Sequence, residues 1–363
     1  MKIWIYAIAK NEEEFCKRFM ASCTGADGVS ILDTGSTDST VEHLRELGAH
    51  VESREIAPWR FDTARNESLR LVPEDADVCV CLDLDEVLAP GWREALEAAW
   101  RPETTRGRYL YIWSHDAAGG DGVAFYADKV HARHGYHWRH PVHEILEPDK
   151  AEHQVLIPGL RIDHWPDGTK SRASYLPLLE LAVREDPDGD RNMHYLGREY
   201  MFHGRWGDAM QTLMRHLALP TATWAAERAA SMRYIARCCQ ALGDDRSAAH
   251  WLVRAADEAP TQREAPFELT KLYYGIEQWA LCRYWAMRTL HITERDNNYM
   301  TDPAAWGSAP YDYESMAEYH LGLYDEALSA AQQALKLEPD NARIRDNAGY
   351  FRQLAERSRH NEQ

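Results

Sequence analysis

Val78-Cys79-Val80-Cys81-Leu82-Asp83-Leu84-Asp85-Glu86 decides how this chain is read. A short apolar strand ends abruptly in two carboxylates one residue apart, with a third directly behind them. Ionised carboxylates avoid apolar strand ends unless positive charge is held there, because desolvating them unpaired is costly. A hard divalent cation such as Mg²⁺ or Mn²⁺ takes oxygen ligands and keeps positions open for phosphates. The stretch therefore predicts a metal–diphosphate site at the carboxyl end of a sheet strand.

The flanking sequence supports that placement. Ile3 to Ile8 is a β-branched and aromatic run, followed by a predicted helix from Glu12 to Cys23. Gly28 to Leu32 is a second apolar strand, and Val41, Leu44 and Leu47 mark a helix that Thr37 or Asp38 would cap and Gly48 would stop. A strand at 49–52 and a helix at 63–71 precede the acidic strand. Such alternation predicts a largely parallel sheet with helices on both faces and ligands beyond the strands' carboxyl ends. Three polar clusters fall at those ends: Lys10-Asn11-Glu12, Asp33-Thr34-Gly35-Ser36 and Asp83-Leu84-Asp85. Residues 107–165 read as an antiparallel or mixed extension of the same sheet.

Composition narrows the class. The 363 residues carry a formal net charge of −17, with 58 acidic against 41 basic side chains, which argues against a nucleic-acid partner. No apolar stretch reaches the roughly 18–20 residues of a bilayer span. The N-terminus shows no cleavage pattern, and seven cysteines lie scattered without CxxC pairs, Cys79 and Cys81 among valines. A reducing cytoplasm is the expected location.

From about Ser171 the chain turns Ala/Leu/Arg-rich and repetitive. Gly204 to Ala209, Gly243 to Ala248 and Gly322 to Ala327 share a skeleton, Gly and then Ala five residues on, and Pro220, Pro260 and Pro339 follow. A weaker copy carries Cys282 in the alanine slot, so the slots are spaced 39, 34 and 45 residues. Leu196-Gly197 and Tyr200 sit where a first helix needs a small residue and an aromatic. The pattern resembles the tetratricopeptide repeat, a helix–turn–helix of 34 residues. The insertion at 293–312 is read as reaching toward a partner or the active site.

Taken together, Ile8-Ala9-Lys10-Asn11-Glu12-Glu13, Asp33 to Thr40, Ala64-Arg65-Asn66 and Asp83-Leu84-Asp85-Glu86 resemble family 2 glycosyltransferases of the GT-A fold, over residues 1 to about 165. With the repeats, the whole chain resembles bacterial enzymes that fuse this domain to a tetratricopeptide tail. One branch of these glycosylates peptides, including cysteine S-glycosylation of bacteriocins; others act on cell-surface glycans. The resemblance implies that Asp33 reads the donor's base, Arg65 holds the base or diphosphate, and Lys10, Asn11 and Glu12 form the first nucleotide-facing loop. It implies Asp85 as direct metal ligand, Asp83 as ribose or water-mediated metal contact, and His164, closing the last strand, as a further ligand. Glu86 is read as an outer group or the start of the next helix. An inverting transfer needs a base to take the acceptor's proton. Within Arg139-His140-Pro141-Val142-His143-Glu144, Glu144 is the expected base and His143 the second candidate, against a structural Glu–Arg or Glu–His pair. The histidines at 131, 134, 137, 140 and 143 recur every three residues, a period that suits neither a helix nor a strand face, so zinc is not assigned.

The fold expected is α/β, a GT-A (Rossmann-like nucleotide-diphospho-sugar transferase) domain over 1–168, then an all-α tetratricopeptide-like domain over 169–355 and a disordered tail over 356–363. The function expected is a metal-dependent inverting glycosyltransferase using Mn²⁺ or Mg²⁺ and a nucleotide sugar, a UDP-sugar first, with a peptide, protein or glycan acceptor and a homodimer through the repeats. The alternatives are transfer to a cell-surface or lipid-linked glycan, a nucleotidyltransferase, which should show a Gly-rich phosphate loop near the N-terminus, and a non-catalytic scaffold, which should lack the acidic pair.

Overall fold

The computed structural model describes all residues except 116–118, 167, 169–174, 297 and 362–363, and at residue 361 the backbone alone. The chain falls into two compact units, Met1–Asp186 with Asn297–Tyr299, and Pro187–Asp296 with Met300–Gln363.

The first unit runs β1 (Ile3–Ala9), α1 (Glu13–Ser22), β2 (Gly28–Asp33), α2 (Thr40–Glu46), β3 (His50–Ser53), α3 (Phe61–Arg70), β4 (Val78–Cys81), β5 (Glu86–Leu88), α4 (Trp92–Ala99), β6 (Arg106–Ile112), β7 (Ala124–Ala132), β8 (Tyr136–Arg139), β9 (Ile145–Pro148), β10 (Gln154–His164) and α5 (Tyr175–Glu185). Eight strands form one sheet in the order β3-β2-β1-β4-β7-β6-β10-β5, while β8 and β9 pair separately. The block β3-β2-β1-β4 is parallel. β7 then enters antiparallel between β4 and β6, which makes the sheet mixed from that point, as the 107–165 reading expected.

Strand side chains alternate between faces, and β1 and β4 sort their residues accordingly. Ile3, Ile5 and Ala7, with Val78, Val80 and Leu82, pack into one core with Phe15 and Phe19 of α1. Tyr6, Cys79 and Cys81 face the other core, with Trp138 and Leu146. The two cysteines are buried free thiols, small apolar fillers of a strand covered on both sides. Each large aliphatic group buried here stabilises the fold by about 1.5–3 kcal/mol. Gly28 is dictated by contact: a Cβ there would lie 2.2 Å from the Trp4 ring.

Glu86 does not start a helix. It opens β5, and the next helix, α4, begins at Trp92. The break between units falls at 186/187 rather than 168/169, so α5 counts with the first unit; residue 169 lies outside the described residues. Within the insertion, Asn297–Tyr299 also counts with the first unit, where Tyr299 sets its ring against Phe125 at 5.6 Å between centroids.

The second unit comprises α6 (Asp190–Phe202), α7 (Trp206–Ala218), α8 (Ala225–Ala241), α9 (Asp245–Glu258), α10 (Glu264–Gly275), α11 (Trp279–His291), a 3-10 turn at Pro303–Trp306, α12 (Ala309–His320), α13 (Tyr324–Leu337) and α14 (Ala342–Asn361). Among the described residues, none of these helices or the earlier ones is long and apolar enough to cross a membrane. The slot residues Ala209, Ala248, Cys282 and Ala327 lie on the second helix of each pair and are fully buried. A Cβ on Gly197 would stand 2.5 Å from Leu213, so the α6–α7 crossing needs that glycine. The turn residues five before each slot all have positive φ: Gly204, Gly243, Glu277 and Gly322. In the weak copy, a glutamate thus occupies a position that glycine adopts without strain. α14 continues to residue 361, so 356–361, expected as disordered tail, are helical, and 362–363 lie outside the described residues.

The core of this unit holds a polar chain. His194 Nδ1 lies 2.7 Å from Ser231 Oγ, which lies 2.9 Å from His216 Nδ1, and His216 Nε2 lies 3.3 Å from Glu227 Oε1. With Glu227 accepting from His216 Nε2–H, the bare His216 Nδ1 takes the serine proton, and Ser231 accepts from His194 Nδ1–H. One hydroxyl proton orders the chain. Burial, with nearby arginine charges adding to it, holds His194 well below the ordinary histidine range.

Candidate active site

The carboxyl end of β4 meets α3 and β7 around Arg65. This guanidinium, buried on α3, donates from Nη2 to Asp83 Oδ1 at 2.9 Å and from Nη1 to Cys81 Sγ at 3.4 Å, pairs through Nε with Glu144, and lies 5.2 Å from the Trp138 ring centroid. Lys129 on β7 closes the other side: its Nζ is 3.3 Å from Asp83 Oδ2 and 3.2 Å from Glu86 Oε1. Glu86, 1% exposed, also accepts from Tyr111 OH at 2.7 Å and from the Asp83 N–H at 3.0 Å. The result is a five-member ion net, open along Asp83 and Lys129, whose side chains are 35% and 26% exposed.

The net sets its own charge states. Burial would raise the Asp83 carboxyl, but Arg65 and Lys129 outweigh it and hold the group well below the usual carboxylate range. Burial pushes Glu86 up, opposed by Lys129 and reinforced by Asp83. Against their own desolvation, the carboxylates keep Arg65 and Lys129 firmly protonated.

Asp85 stands outside the net. Its Oδ2 is 3.5 Å from Nε2 of His164 at the end of β10, and its carbonyl accepts the Trp165 N–H at 2.8 Å. His164 Nδ1 faces the Trp113 carbonyl at 3.0 Å, so Nδ1 carries the hydrogen and Nε2 turns toward Asp85. Trp113 stacks on the imidazole at 4.6 Å. An oxygen and a nitrogen donor, with little else binding them, fit a divalent cation that also takes phosphate oxygens. Asp83, expected on the same cation, has both oxygens committed to Arg65 and Lys129.

The remaining expected residues gather at the β1 and β2 ends. Asn11, at φ 55, donates its N–H to Ser36 Oγ (2.9 Å) and accepts the Thr37 N–H on Oδ1 (2.8 Å). The Glu12 N–H donates to Thr40 Oγ1 at 2.7 Å, and Lys10 is exposed. Asp33, 3% exposed, accepts the N–H groups of Ser36 (3.0 Å) and Gly35 (3.3 Å), which is the turn-holding role. Asp38 rather than Thr37 serves the α2 start, accepting the Thr40 N–H at 3.1 Å.

Glu144 occupies the Arg65 pair that competed with its reading as base, and His143, at φ 49, packs its ring near Tyr175 at 5.7 Å. The histidine series disperses. His131 is in the core on Tyr6 OH at 2.8 Å, with burial lowering it to about 3, while His134 and His137 turn to Glu74 and Asp149. Among the described residues, three metal-type side chains do converge at His115, Asp121 and Asp163. The Arg161 guanidinium already pairs with both of those carboxylates, so no cation is assigned there.

Lys129, Tyr111 and Trp138 were missed from sequence. Lys129 had one visible signal, a lone lysine on a strand whose neighbours Val130 and His131 are apolar or buried.

A mixed α/β sheet with an acidic pair at the carboxyl edge of its parallel block defines a GT-A-type domain. Residues 4–109 match the family model described as glycosyl transferase family 2, so the first unit carries a family 2 glycosyltransferase domain. No curated protein matches the chain. Solved structures similar to it include MamA (20% identical, covering 46% of this chain and 89% of that one, TM-score 0.37). Another is Pseudomonas aeruginosa pilF (14%, 48% and 71%, TM-score 0.37). A third is the C-terminal part of a TPR repeat-containing protein from Cytophaga hutchinsonii (13%, 50% and 66%, TM-score 0.41). The reading of the helical unit rests on its own buried slots and turns.

Proposed function

We propose that this protein is a metal-dependent inverting glycosyltransferase that moves a sugar from a nucleoside-diphosphate donor, a UDP-sugar in the first instance, to a side chain of a peptide or protein. The observation that carries the reading is the Asp85–His164 pair beside the Arg65–Asp83–Lys129 net at the carboxyl edge of a family 2 domain.

Asp33 keeps lone pairs beyond its two backbone bonds for the imide N–H of a uracil base. Lys10, Asn11 and Glu12 supply the adjoining wall, Arg65 the fork toward base or diphosphate, and Asp83 an acceptor for the ribose hydroxyls. Mn²⁺ or Mg²⁺ on Asp85 and His164 would neutralise charge developing on the leaving diphosphate. In the transfer, the acceptor's oxygen or sulfur attacks the anomeric carbon from the face opposite the diphosphate. The carbon–oxygen bond to phosphate breaks with its electron pair leaving on the nucleoside diphosphate, and the acceptor's proton passes to a carboxylate. Glu144 is the proposed base, and its pairing with Arg65 gives the rival role, holding the guanidinium, an equally concrete form. The repeat unit offers the kind of surface that binds peptide and self-associates, hence the peptide acceptor and a homodimer.

The test is turnover of UDP-glucose and other nucleotide sugars with and without Mn²⁺. Cation-dependent release of the nucleoside diphosphate, lost in Asp85→Ala, is expected. No turnover of any nucleotide sugar, with nucleotide affinity unchanged in Asp85→Ala, overturns the reading.

A further inference from the structure

Lys129 has no ligand contact of its own in the reading above, and the geometry gives it one. It lies one residue past the last pair that β7 makes with β4, Val80 with Val130, and so emerges at the carboxyl end of β4 where Asp83 stands. Lysines on interior strands ordinarily run their stems outward to put the ammonium in water. Here the ammonium turns inward onto Asp83 and Glu86. An ammonium has three N–H directions; two are spent on these carboxylates, and the side chain as a whole is 26% exposed.

The way the partners are shared gives that exposure its meaning. Two cations, Arg65 and Lys129, face three carboxylates, Asp83, Glu86 and Glu144. Glu86 is enclosed, with Tyr111 on the oxygen it shares with Lys129. Asp83 therefore meets two fixed organic cations, one on each oxygen, and a metal ion held there would sit against both of their charges. Asp85, which among the described residues has His164 beside its carboxylate, is not so committed.

We propose that Lys129 is the protein's own counter-ion for the donor: it presents its third N–H to the diphosphate of the bound nucleotide and, by occupying Asp83, leaves the divalent cation to Asp85 and His164. The inference rests on the nucleotide-sugar reading and adds a phosphate contact that works without the metal. It makes nucleotide binding partly cation-independent, with the diphosphate felt by Lys129 and the nucleoside not.

The test is calorimetry on the full chain with UDP and with uridine, in chelator and with no divalent cation. Lys129→Met is expected to bind UDP about ten-fold more weakly, the usual weight of one charge-assisted hydrogen bond, with uridine affinity unchanged. Lys129→Arg should recover most of the UDP affinity. Mn²⁺ alone, followed by electron paramagnetic resonance, should bind Lys129→Met no more weakly than wild type. Equal losses for UDP and uridine, or no loss for either, overturn the proposal, as does Mn²⁺ binding that disappears with Lys129. If Lys129→Met does not fold, Lys129→Gln, which keeps a donor toward Asp83, is measured against the same outcomes. Failure of the wild type to bind UDP, GDP or dTDP with or without cation removes the donor reading itself; wild-type UDP binding with an indifferent Lys129→Met removes this inference alone.

Discussion

The ion net around Arg65 and the His194–Ser231–His216–Glu227 chain both place polar groups where apolar side chains would pack, and they stay in place by different means. The net is charged, paired cation against carboxylate, and open along Asp83 and Lys129. The chain in the helical unit is fully enclosed, and its histidines are ordered by a single hydroxyl proton. Desolvated ions tolerate burial only while every partner is present, whereas the histidines and serine of a hydrogen-bonded chain ask only that each donor meet an acceptor. A net with an open side is ready for a charged ligand. An enclosed hydrogen-bonded chain fixes helices against one another.

The sharpest break in the comparison is functional. Asp85→Ala removes the carboxylate that the net does not use, so kcat for nucleotide-sugar turnover should fall by about 10³-fold or more, while the urea midpoint barely moves. Glu144→Gln separates its two roles: a base gives a fall in kcat of about 10²–10⁴-fold at constant donor KM, and a holder of Arg65 gives a raised donor KM instead. Arg65→Met takes the cation from Glu144 and leaves Asp83 and Glu86 to a single lysine, and should cost about 3–5 kcal/mol of stability, read by urea unfolding.

Acidification probes the neutral histidines. His131 and His194 both have folded-state values below the unfolded value near 6.5. Their contribution to stability is therefore complete above that value and is lost as pH falls, for His131 progressively toward about 3. Lowering the pH from 7.5 to 5 should remove about 2 kcal/mol for His131, with His194 adding a loss of the same sign, and His131→Gln should flatten its share of the slope. Ser231→Ala cuts the helical chain without leaving a charge and should cost about 1–2 kcal/mol. Smallest is Glu277→Gly, which relieves a left-handed glutamate and should stabilise the helical unit by up to about 1 kcal/mol.

Local pattern made much of this legible. The apolar runs at Ile3–Ala9 and Val78–Cys81 are strands with their polar residues at the carboxyl ends, and Ala209, Ala248, Cys282 and Ala327 are the buried crossing positions the repeat spacing picked out. His164 did meet Asp85. What stayed hidden depends on long-range register. Lys129 lies 46 residues from Asp83 and reaches it only because β7 inserts between β4 and β6. Glu86 looked like a helix start because an acidic residue after a strand usually is one; its partner Tyr111 lies on β6, 25 residues on. Asp33, Arg65 and Glu144 were picked out by position, but their partners followed from packing that no local window contains.

The joined loops at Asn11 and Asp33 carry a last consequence. Asn11, Glu12, Ser36, Thr37 and Thr40 tie the β1 and β2 ends together through backbone N–H groups before any ligand arrives. On the donor reading, the nucleobase meets a wall whose conformational freedom was already surrendered in folding. Little ordering entropy is then lost on that side, and discrimination between bases becomes a matter of fit to a rigid template rather than of a loop choosing its shape.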